Sequence, residues 1–129
     1  MILADTSAWV EFLRETGSRA NVHLRECLGD GELATTDVVL MEVLAGARDE
    51  THLRRLRRLQ GACELLATEG PGDYEAAAGL YRSCRRGGET VRTLTDCLVA
   101  AVAVRHGVAL LHADTDFHVL ERHTALEVA

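Results

Sequence analysis

Short apolar runs alternate along this chain with longer segments whose apolar residues recur every three or four positions. The short runs predict strands and the longer segments predict helices. Five strands are predicted in this way: Ile2–Ala4, Leu33–Thr35, Glu64–Ala67, Val108–His112 and Leu126–Val128. Because strands alternate with helices, the pattern predicts an α/β fold. We expect a three-layer α/β/α sandwich with a mostly parallel sheet of about five strands.

Polar residues and glycines mark the ends of the predicted helices. Thr6 or Ser7 can cap a first helix that extends to about Leu13, and Ser18 can cap a second. Further along, Thr36 or Asp37 and then Thr93 or Thr95 are the candidate caps. The remaining helices are predicted at Val38–Ala45, Thr51–Gln60, Tyr74–Arg86, Cys97–His106 and Asp116–Arg122.

Length and composition fit one folded domain over residues 1–129. A chain of 129 residues, 47% of them hydrophobic, can bury a stable core without disulfides or a structural metal. No apolar run approaches the roughly 20 residues that a membrane helix needs. The first residues also lack the basic segment that opens a signal peptide. We therefore expect a cytoplasmic protein with no membrane partner.

The charged and sulfur-containing residues exclude several chemistries. The formal net charge is −6, all 14 basic residues are arginines, and lysine is absent, so any reaction that needs a lysine is ruled out. The four cysteines lie far apart without a CxxC pair, and no Cys/His pair has zinc-ligand spacing. We expect these cysteines to be reduced core residues.

Acidic residues follow the predicted strands at one end of the sheet. Asp5 comes directly after the first strand, and Asp114 and Asp116 come shortly after the fourth. Asp96 lies in the first turn of the preceding helix, and Glu42 lies on the helix after the second strand. Ligands of open parallel sheets bind beyond the carboxyl ends of the strands, near the switch in strand order. The sequence therefore predicts that these carboxylates converge.

Each acid taken alone has a structural explanation. Asp5 can cap a helix, Asp96 can complement a helix dipole, and Asp114 and Asp116 can belong to a loop. Glu42 is harder to explain in this way, because it interrupts the apolar run VVLMEVLA. The convergence of independent acids on one edge favours a functional site.

Clustered carboxylates need a counter-ion. Like charges a few Å apart raise one another's pKa and resist joint ionisation. Mg²⁺ and Mn²⁺ relieve this repulsion, because hard divalent cations prefer carboxylate and water oxygens. One or two such ions can activate water and stabilise the leaving oxygen of a phosphodiester. The predicted chemistry is metal-assisted hydrolysis.

Three segments together resemble PIN domains, as found in VapC toxins of bacterial toxin–antitoxin pairs. They are ILADTSAWVEF, then VVLMEVLAGA around Glu42, then GETVRTLTDCLVAAVAVRHGVALLHADTDF. The last segment is the most specific, with Gly88, Arg92 and Asp96 at four-residue intervals before the apolar helix and ADTDF. The resemblance covers nearly the whole chain.

The resemblance implies a role for each site residue. Asp5, Glu42, Asp96 and Asp114 would be the catalytic acidic quartet. Asp5 and Asp96 would bind Mg²⁺ or Mn²⁺ directly, Asp114 would share or bridge a metal, and Glu42 would hold a metal-bound water or ligate a second ion. Three residues would be auxiliary. Asp116 would be a fifth acid, and Ser7 would assist the first site. Arg92 would position phosphate or a neighbouring acid.

The resemblance also implies a substrate and partners. It implies an endoribonuclease that acts on structured RNA, often tRNA or rRNA, and leaves a 3′-hydroxyl and a 5′-phosphate. It further implies a homodimer and inhibition by a cognate VapB-like antitoxin.

Arginines crowd two of the predicted helices: Arg48, Arg54, Arg55, Arg57 and Arg58 in or beside one, and Arg82, Arg85 and Arg86 in the other. Positive charge around an acidic centre favours RNA binding. A solvated helix face with acidic partners is the ordinary alternative. His112 and His118 flank the acidic loop, where a general base is conceivable but unnecessary beside a metal.

Two other functions compete with a ribonuclease. An aspartate-dependent phosphatase or a receiver domain also places an Asp after the first strand, but both resemble families with an important downstream lysine. The other alternative is a catalytically silent PIN-like domain that binds RNA or a protein. The intact acidic quartet weighs against it.

Overall fold

The computed structural model describes all 129 residues, Met1–Ala129. Four strands form one sheet: β1 (Ile2–Ala4), β2 (Leu33–Thr35), β3 (Glu64–Leu65) and β4 (Ala109–Leu111). The strand order is β3-β2-β1-β4, and every pairing is parallel. The helices flank this sheet, so the predicted α/β class is confirmed.

The sheet has four strands where about five were predicted. The segment predicted as the fifth strand, Leu126–Val128, forms one parallel bridge between Leu110 and Val128. Leu110 N donates to Glu127 O at 2.9 Å, and Ala129 N donates to Leu110 O at 2.8 Å. The C-terminal segment therefore covers the free edge of β4 without forming a full strand.

Seven helices connect and cover the strands. They are α1 (Thr6–Leu13), α2 (Arg19–Asp30), α3 (Asp37–Ala45), α4 (Glu50–Gly61), α5 (Gly70–Arg86), α6 (Leu94–His106) and α7 (Asp116–His123). Each predicted helix is present, with shifts at its ends. None of them combines the length and the apolar composition needed to cross a membrane.

Helix starts differ from the prediction where backbone chemistry decides them. The cap of α1 is Asp5, not Thr6 or Ser7, because the Asp5 carboxylate accepts a hydrogen bond from Ser7 N. Helix α5 begins at Gly70, four residues earlier than predicted. Pro71 occupies its first turn, where backbone N–H groups have no partner within the helix, so the N–H that proline lacks costs no hydrogen bond. The predicted cap Ser18 is confirmed by its bond from Asn21 N.

Helix α6 lies in the interior and packs against α3, α5, α7 and β4. Its residues Cys97–Ala103 are all buried. This middle part of the helix is apolar on every side and has no solvent face, so its neighbours fix its position from all directions. The first turn of α6 is thereby held at a defined place beside the sheet.

The switch in strand order lies at β1, which pairs with β2 on one side and with β4 on the other. Ala4 is in register with Leu111, and Asp5 N donates to Leu111 O at 2.9 Å. The residues that follow β1 and β4 therefore leave the sheet side by side.

Candidate metal centre

Three carboxylates converge beyond the carboxyl end of β4. Asp96 comes from the first turn of α6, Asp114 from the loop after β4, and Asp116 from the start of α7. One ligand oxygen from each lies within 4.8 Å of the other two. The predicted convergence of Asp96 and Asp114 is confirmed as geometry. Asp116, which the sequence indicated only as an auxiliary acid, is an equal member of this group.

Asp5 is buried beside this group and is 4% exposed. Its Oδ2 accepts hydrogen bonds from Ser7 N at 2.9 Å and from Ser7 Oγ at 2.6 Å. Burial raises the pKa of Asp5, the two bonds from Ser7 oppose that rise, and the charge of Glu42 adds to it. The same residue is thus a helix cap and a member of the acidic site, so the two explanations do not exclude each other.

Asp96 has the most strongly perturbed carboxyl group of the site. Burial is the largest cause, followed by the charge of Asp5, and together with Asp114 and Asp116 they raise its pKa to about 7. The Thr93 side chain opposes this rise by hydrogen bonding. The shift shows that the four aspartates share one electrostatic environment, in which full ionisation is unfavourable without a counter-charge.

Glu42 lies on the Asp5 side of the cluster. Thr6 Oγ1 donates a 2.8 Å hydrogen bond to Glu42 Oε1, which fixes the carboxylate next to the start of α1. Its charge acts on Asp5, but Glu42 does not belong to the trio of Asp96, Asp114 and Asp116. The structure therefore brings it to the border of the site.

Arg92 is the one cation bonded within the cluster. Its Nη2 lies 2.8 Å from Asp114 Oδ1, and its Nε lies 3.0 Å from Asp116 Oδ2. The backbone N of Arg92 also donates to Asp116 Oδ2 at 3.0 Å. These contacts raise the pKa of the guanidinium, with Asp116 as the main cause. Of the two predicted roles for Arg92, positioning neighbouring acids is the one that these contacts support.

Two hydroxyl groups at the site were not predicted to have a functional role. Thr6 holds Glu42 through a hydrogen bond, and Thr93, the residue before α6, lowers the pKa of Asp96. Thr93 was one of the predicted caps of this helix, so the sequence contained a signal for its position. The contact of Thr6 with Glu42 joins residues 36 positions apart, and no local pattern indicates it.

His112 has a structural role in this arrangement. Its Nδ1 accepts a hydrogen bond from Asp114 N at 3.2 Å, and its ring packs against Phe117 with a centroid distance of 5.1 Å. Burial lowers the pKa of His112, and the neighbouring His118 lowers it further. The neutral ring thus shapes the loop that carries Asp114.

The donor set of the site suits a hard divalent cation. All of the converging ligand atoms are carboxylate oxygens, and hydroxyl oxygens of Ser7 and Thr93 lie next to them. Mg²⁺ and Mn²⁺ prefer such oxygens, whereas zinc sites rely on Cys and His. The geometry and electrostatics of the residues present therefore fit a bound divalent metal ion.

Known proteins share this sequence over most of its length. The family model of the PIN domain matches residues 2–122. The VapC ribonuclease Mb1587 of Mycobacterium bovis is 47% identical over 131 residues, which cover 100% of this chain and 98% of the relative. Ribonuclease VapC51 of Mycobacterium tuberculosis is 31% identical over 118 residues, covering 92% and 83%.

Solved structures share the fold at low sequence identity. VapBC2 from Rickettsia felis, bound to a DNA fragment from its promoter, gives a TM-score of 0.78 at 16% identity and covers 100% of this chain and 98% of that one. FitAB bound to an IR36 DNA fragment gives 0.76 at 20% identity, with 100% and 94% covered. At these identities the structural comparison establishes the fold.

Proposed function

The chain belongs to the PIN-domain family, and we propose that it is a metal-dependent endoribonuclease acting as the toxin of a VapBC-type toxin–antitoxin pair. Residues 1–129 form one PIN domain in this proposal. The substrate is structured RNA, either tRNA or rRNA, and the reaction hydrolyses a phosphodiester bond. The enzyme acts in the cytoplasm, where these RNAs are found.

The observation that carries the proposal is the convergence of Asp96, Asp114 and Asp116, with the buried Asp5 beside them, beyond the carboxyl ends of β1 and β4. The fold buries Asp96 beside other acids, which raises its pKa to about 7 and makes its ionised form unfavourable. Perturbed groups of this kind concentrate at functional sites. The chain is also 47% identical, over its full length, to a protein named as a ribonuclease.

The proposal gives each site residue a role. Asp5, Asp96 and Asp114 would bind the metal, as the family resemblance implies, and Asp116, which lies with Asp96 and Asp114, would support the same centre. Ser7 orients Asp5, and Arg92 orients Asp114 and Asp116. Glu42, held by Thr6, would hold a water at the metal site or ligate a second ion.

The metal is Mg²⁺ or Mn²⁺, with one or two ions at the site. When bound, it supplies a Lewis acid that activates water and stabilises the charge developing on the leaving oxygen. Hydrolysis then leaves a 3′-hydroxyl and a 5′-phosphate.

The partners in this proposal are a VapB-like antitoxin and a second copy of the chain in a homodimer. This part of the proposal is supported by structural relatives that include VapBC assemblies and a toxin–antitoxin complex from Klebsiella pneumoniae. Exposed apolar side chains on α5 and α6, among them Tyr74, Leu94 and Val104, are available for contacts with another chain.

Two alternatives are tested by the same assay. A silent domain would retain the fold and bind RNA without cutting it. An aspartate-dependent phosphatase would act on phosphomonoesters rather than on RNA.

The experiment compares the wild-type chain with Asp5→Asn and with Asp30→Asn. Asn keeps the ability to cap α1, so Asp5→Asn removes the charge with little change in the helix. Asp30 is exposed at the end of α2, which leads into the opposite end of the sheet, and is the matched control. Each protein is incubated with total tRNA and rRNA, with Mn²⁺ or with EDTA.

We expect cleavage with Mn²⁺ by the wild type and Asp30→Asn, and none with EDTA. Asp5→Asn should lose more activity than the roughly 10–100-fold typical of changes around metal ligands, because it alters a ligand itself. Equal cleavage by Asp5→Asn and the wild type would refute the assignment of the site. Hydrolysis of p-nitrophenyl phosphate without RNA cleavage would favour the phosphatase.

A further inference from the structure

A cavity of about 310 Å³ opens between α1, α3 and α4, next to the acidic cluster. Thr6 and Glu42 form one side of it, so the cavity and the cluster share a wall. A ligand in the cavity would therefore lie beside Glu42, at the border of the acidic site.

The inner wall of the cavity is apolar. It is formed by Trp9, Val10, Leu13, Val43 and Leu56. Trp9 is the only tryptophan of the chain, and its buried indole Nε1 has no hydrogen-bond partner in the protein.

The rim of the cavity is positively charged. Arg14, Arg48, His52 and Arg55 line it, and the three arginines are exposed. The ion pairs made by arginine side chains elsewhere in the structure involve Arg92, Arg105 and Arg122. Arg14, Arg48 and Arg55 form no ion pair, although Glu42 lines the same cavity, which favours a phosphate-binding role for the rim over a face paired with Glu and Asp.

The positive rim continues away from the cluster. A neighbouring depression of about 290 Å³ shares Arg48, His52 and Arg55 with the cavity and adds Arg58, Thr51 and one acid, Asp49. Unpaired cations thus extend from the acidic centre along α4, although the chain as a whole carries a net charge of −6. This local concentration of positive charge is the arrangement expected for a phosphate backbone.

We propose that this cavity binds one unpaired nucleotide of the RNA, with its base against the apolar wall and its flanking phosphates on Arg48 and Arg55. The inference rests on the proposed ribonuclease function and adds a subsite to it. Sequence-selective proteins bind splayed bases of single-stranded RNA by stacking and by hydrogen bonds to base edges. A volume of this size lies at the lower end of small-ligand sites, which suits one nucleotide better than a helix of a partner protein.

The test measures binding without turnover. Fluorescently labelled RNA hexamers of mixed sequence, and the four nucleoside 5′-monophosphates, are titrated in EDTA into the wild type and into two double variants. Arg48→Gln/Arg55→Gln removes two rim charges. Arg54→Gln/Arg57→Gln removes two charges from the same helix at positions that do not line the cavity. The salt dependence is measured for each protein.

We expect Arg48→Gln/Arg55→Gln to bind the hexamer about tenfold more weakly than the wild type. The slope of log K against log salt should fall by about 1.4, because each phosphate contact on a single strand contributes about 0.7. Arg54→Gln/Arg57→Gln should stay within about twofold of the wild type. Equal losses in the two variants, or no loss in either, would overturn the proposal.

Trp9 provides an independent measurement, since its fluorescence reports on the cavity wall. The monophosphates should change this fluorescence in the wild type and in the Arg54→Gln/Arg57→Gln control. An unchanged spectrum at saturation would also overturn the nucleotide site. A hexaglutamate peptide that bound as tightly as RNA, with the same dependence on Arg48 and Arg55, would assign the cavity to a protein ligand instead.

Failure of this inference and failure of the proposed function are distinguishable. If no RNA is cleaved but hexamer binding depends on Arg48 and Arg55, the ribonuclease assignment fails and the nucleotide site stands. If RNA is cleaved and Arg48→Gln/Arg55→Gln has an unchanged KM, the enzyme stands and the site is wrong.

Discussion

Ser7 Oγ lies 2.6 Å from Asp5 Oδ2 and donates a hydrogen bond to it. Ser7 Oγ also accepts a 3.0 Å hydrogen bond from Ala113 N, in the loop that follows β4. One hydroxyl group thus joins the residues beyond β1 to those beyond β4. This link sets how the Asp5 carboxylate faces the cluster.

Replacing Ser7 with Ala should weaken both the fold and the site. The variant leaves Ala113 N without its acceptor and Asp5 without one donor, so the free energy of unfolding should fall by about 1 kcal/mol. We expect kcat for RNA cleavage with Mn²⁺ to fall about tenfold, as is typical when a residue behind a metal ligand is lost. Urea denaturation and the cleavage assay measure the two effects.

The control for this variant is Ser83→Ala. The Ser83 hydroxyl accepts a bond only from the exposed Arg86 side chain, and Ser83 lies on α5 outside the cluster. Its loss should leave activity unchanged. A Ser7→Ala protein with wild-type kcat would show that Asp5 is oriented by other contacts.

The raised pKa of Asp96 should make the metal-free protein less stable as pH rises. Its folded-state pKa is about 7 against an ordinary value of 3.8, so between these values the native state binds more protons than the unfolded state. The free energy of unfolding therefore decreases with pH across this window. Asp5, whose pKa is also raised, acts in the same direction.

The variant Asp96→Asn isolates this effect, because the amide does not titrate. In EDTA we expect it to be more stable than the wild type by about 1–2 kcal/mol at pH 8 and by much less at pH 5. Glu89 does not disturb the comparison, since its pKa is lowered to about 2 and it stays ionised throughout. A stability difference that did not vary with pH would refute the shifted titration.

Arg92→Gln should remove the positive charge that reduces the repulsion between Asp114 and Asp116. Asp116 is buried and would lose its cationic partner, so we expect the metal-free protein to be less stable than the wild type. Mn²⁺ should restore more stability to this variant than to the wild type, because the cation supplies the missing charge. Thermal melting in EDTA and in Mn²⁺ measures both values.

Arg82→Gln is the matched control, since Arg82 is exposed on α5 and makes no ion pair. It should match the wild type in both buffers. If Arg92→Gln melted like this control in EDTA, the contacts of Arg92 with Asp114 and Asp116 would not stabilise the cluster.

Binding of a divalent cation should raise the melting temperature, because the formed site exists only in the folded chain. At about 100 times its Kd, a ligand specific to the native state adds about 2.7 kcal/mol. The rise should be larger at pH 8 than at pH 6, because below pH 7 the metal must displace a proton from Asp96. Calorimetry at both pH values checks this, and a shift independent of pH would contradict it.

The alternation of strands and helices could be predicted from the sequence because local patterns determine it. The strands Ile2–Ala4 and Leu33–Thr35 and the cap Ser18 follow from short apolar runs and from side-chain bonds within a few residues. Element ends were less accurate, since Pro71 fits a first helical turn as well as a loop. The C-terminal fifth strand was wrong because pairing of that segment is confined to one bridge at Leu110.

The sequence by itself determined the α/β class, the family resemblance and the end of the sheet at which Asp5, Asp96 and Asp114 meet. It could do so because the residue after each parallel strand leaves the sheet at the same edge. Only the tertiary structure decided that Asp116 joins the central group, that Thr6 holds Glu42, and that the arginines of α4 border a cavity. Those contacts join residues that are distant in the chain or on separate elements, and their distances depend on how the helices pack rather than on any local pattern.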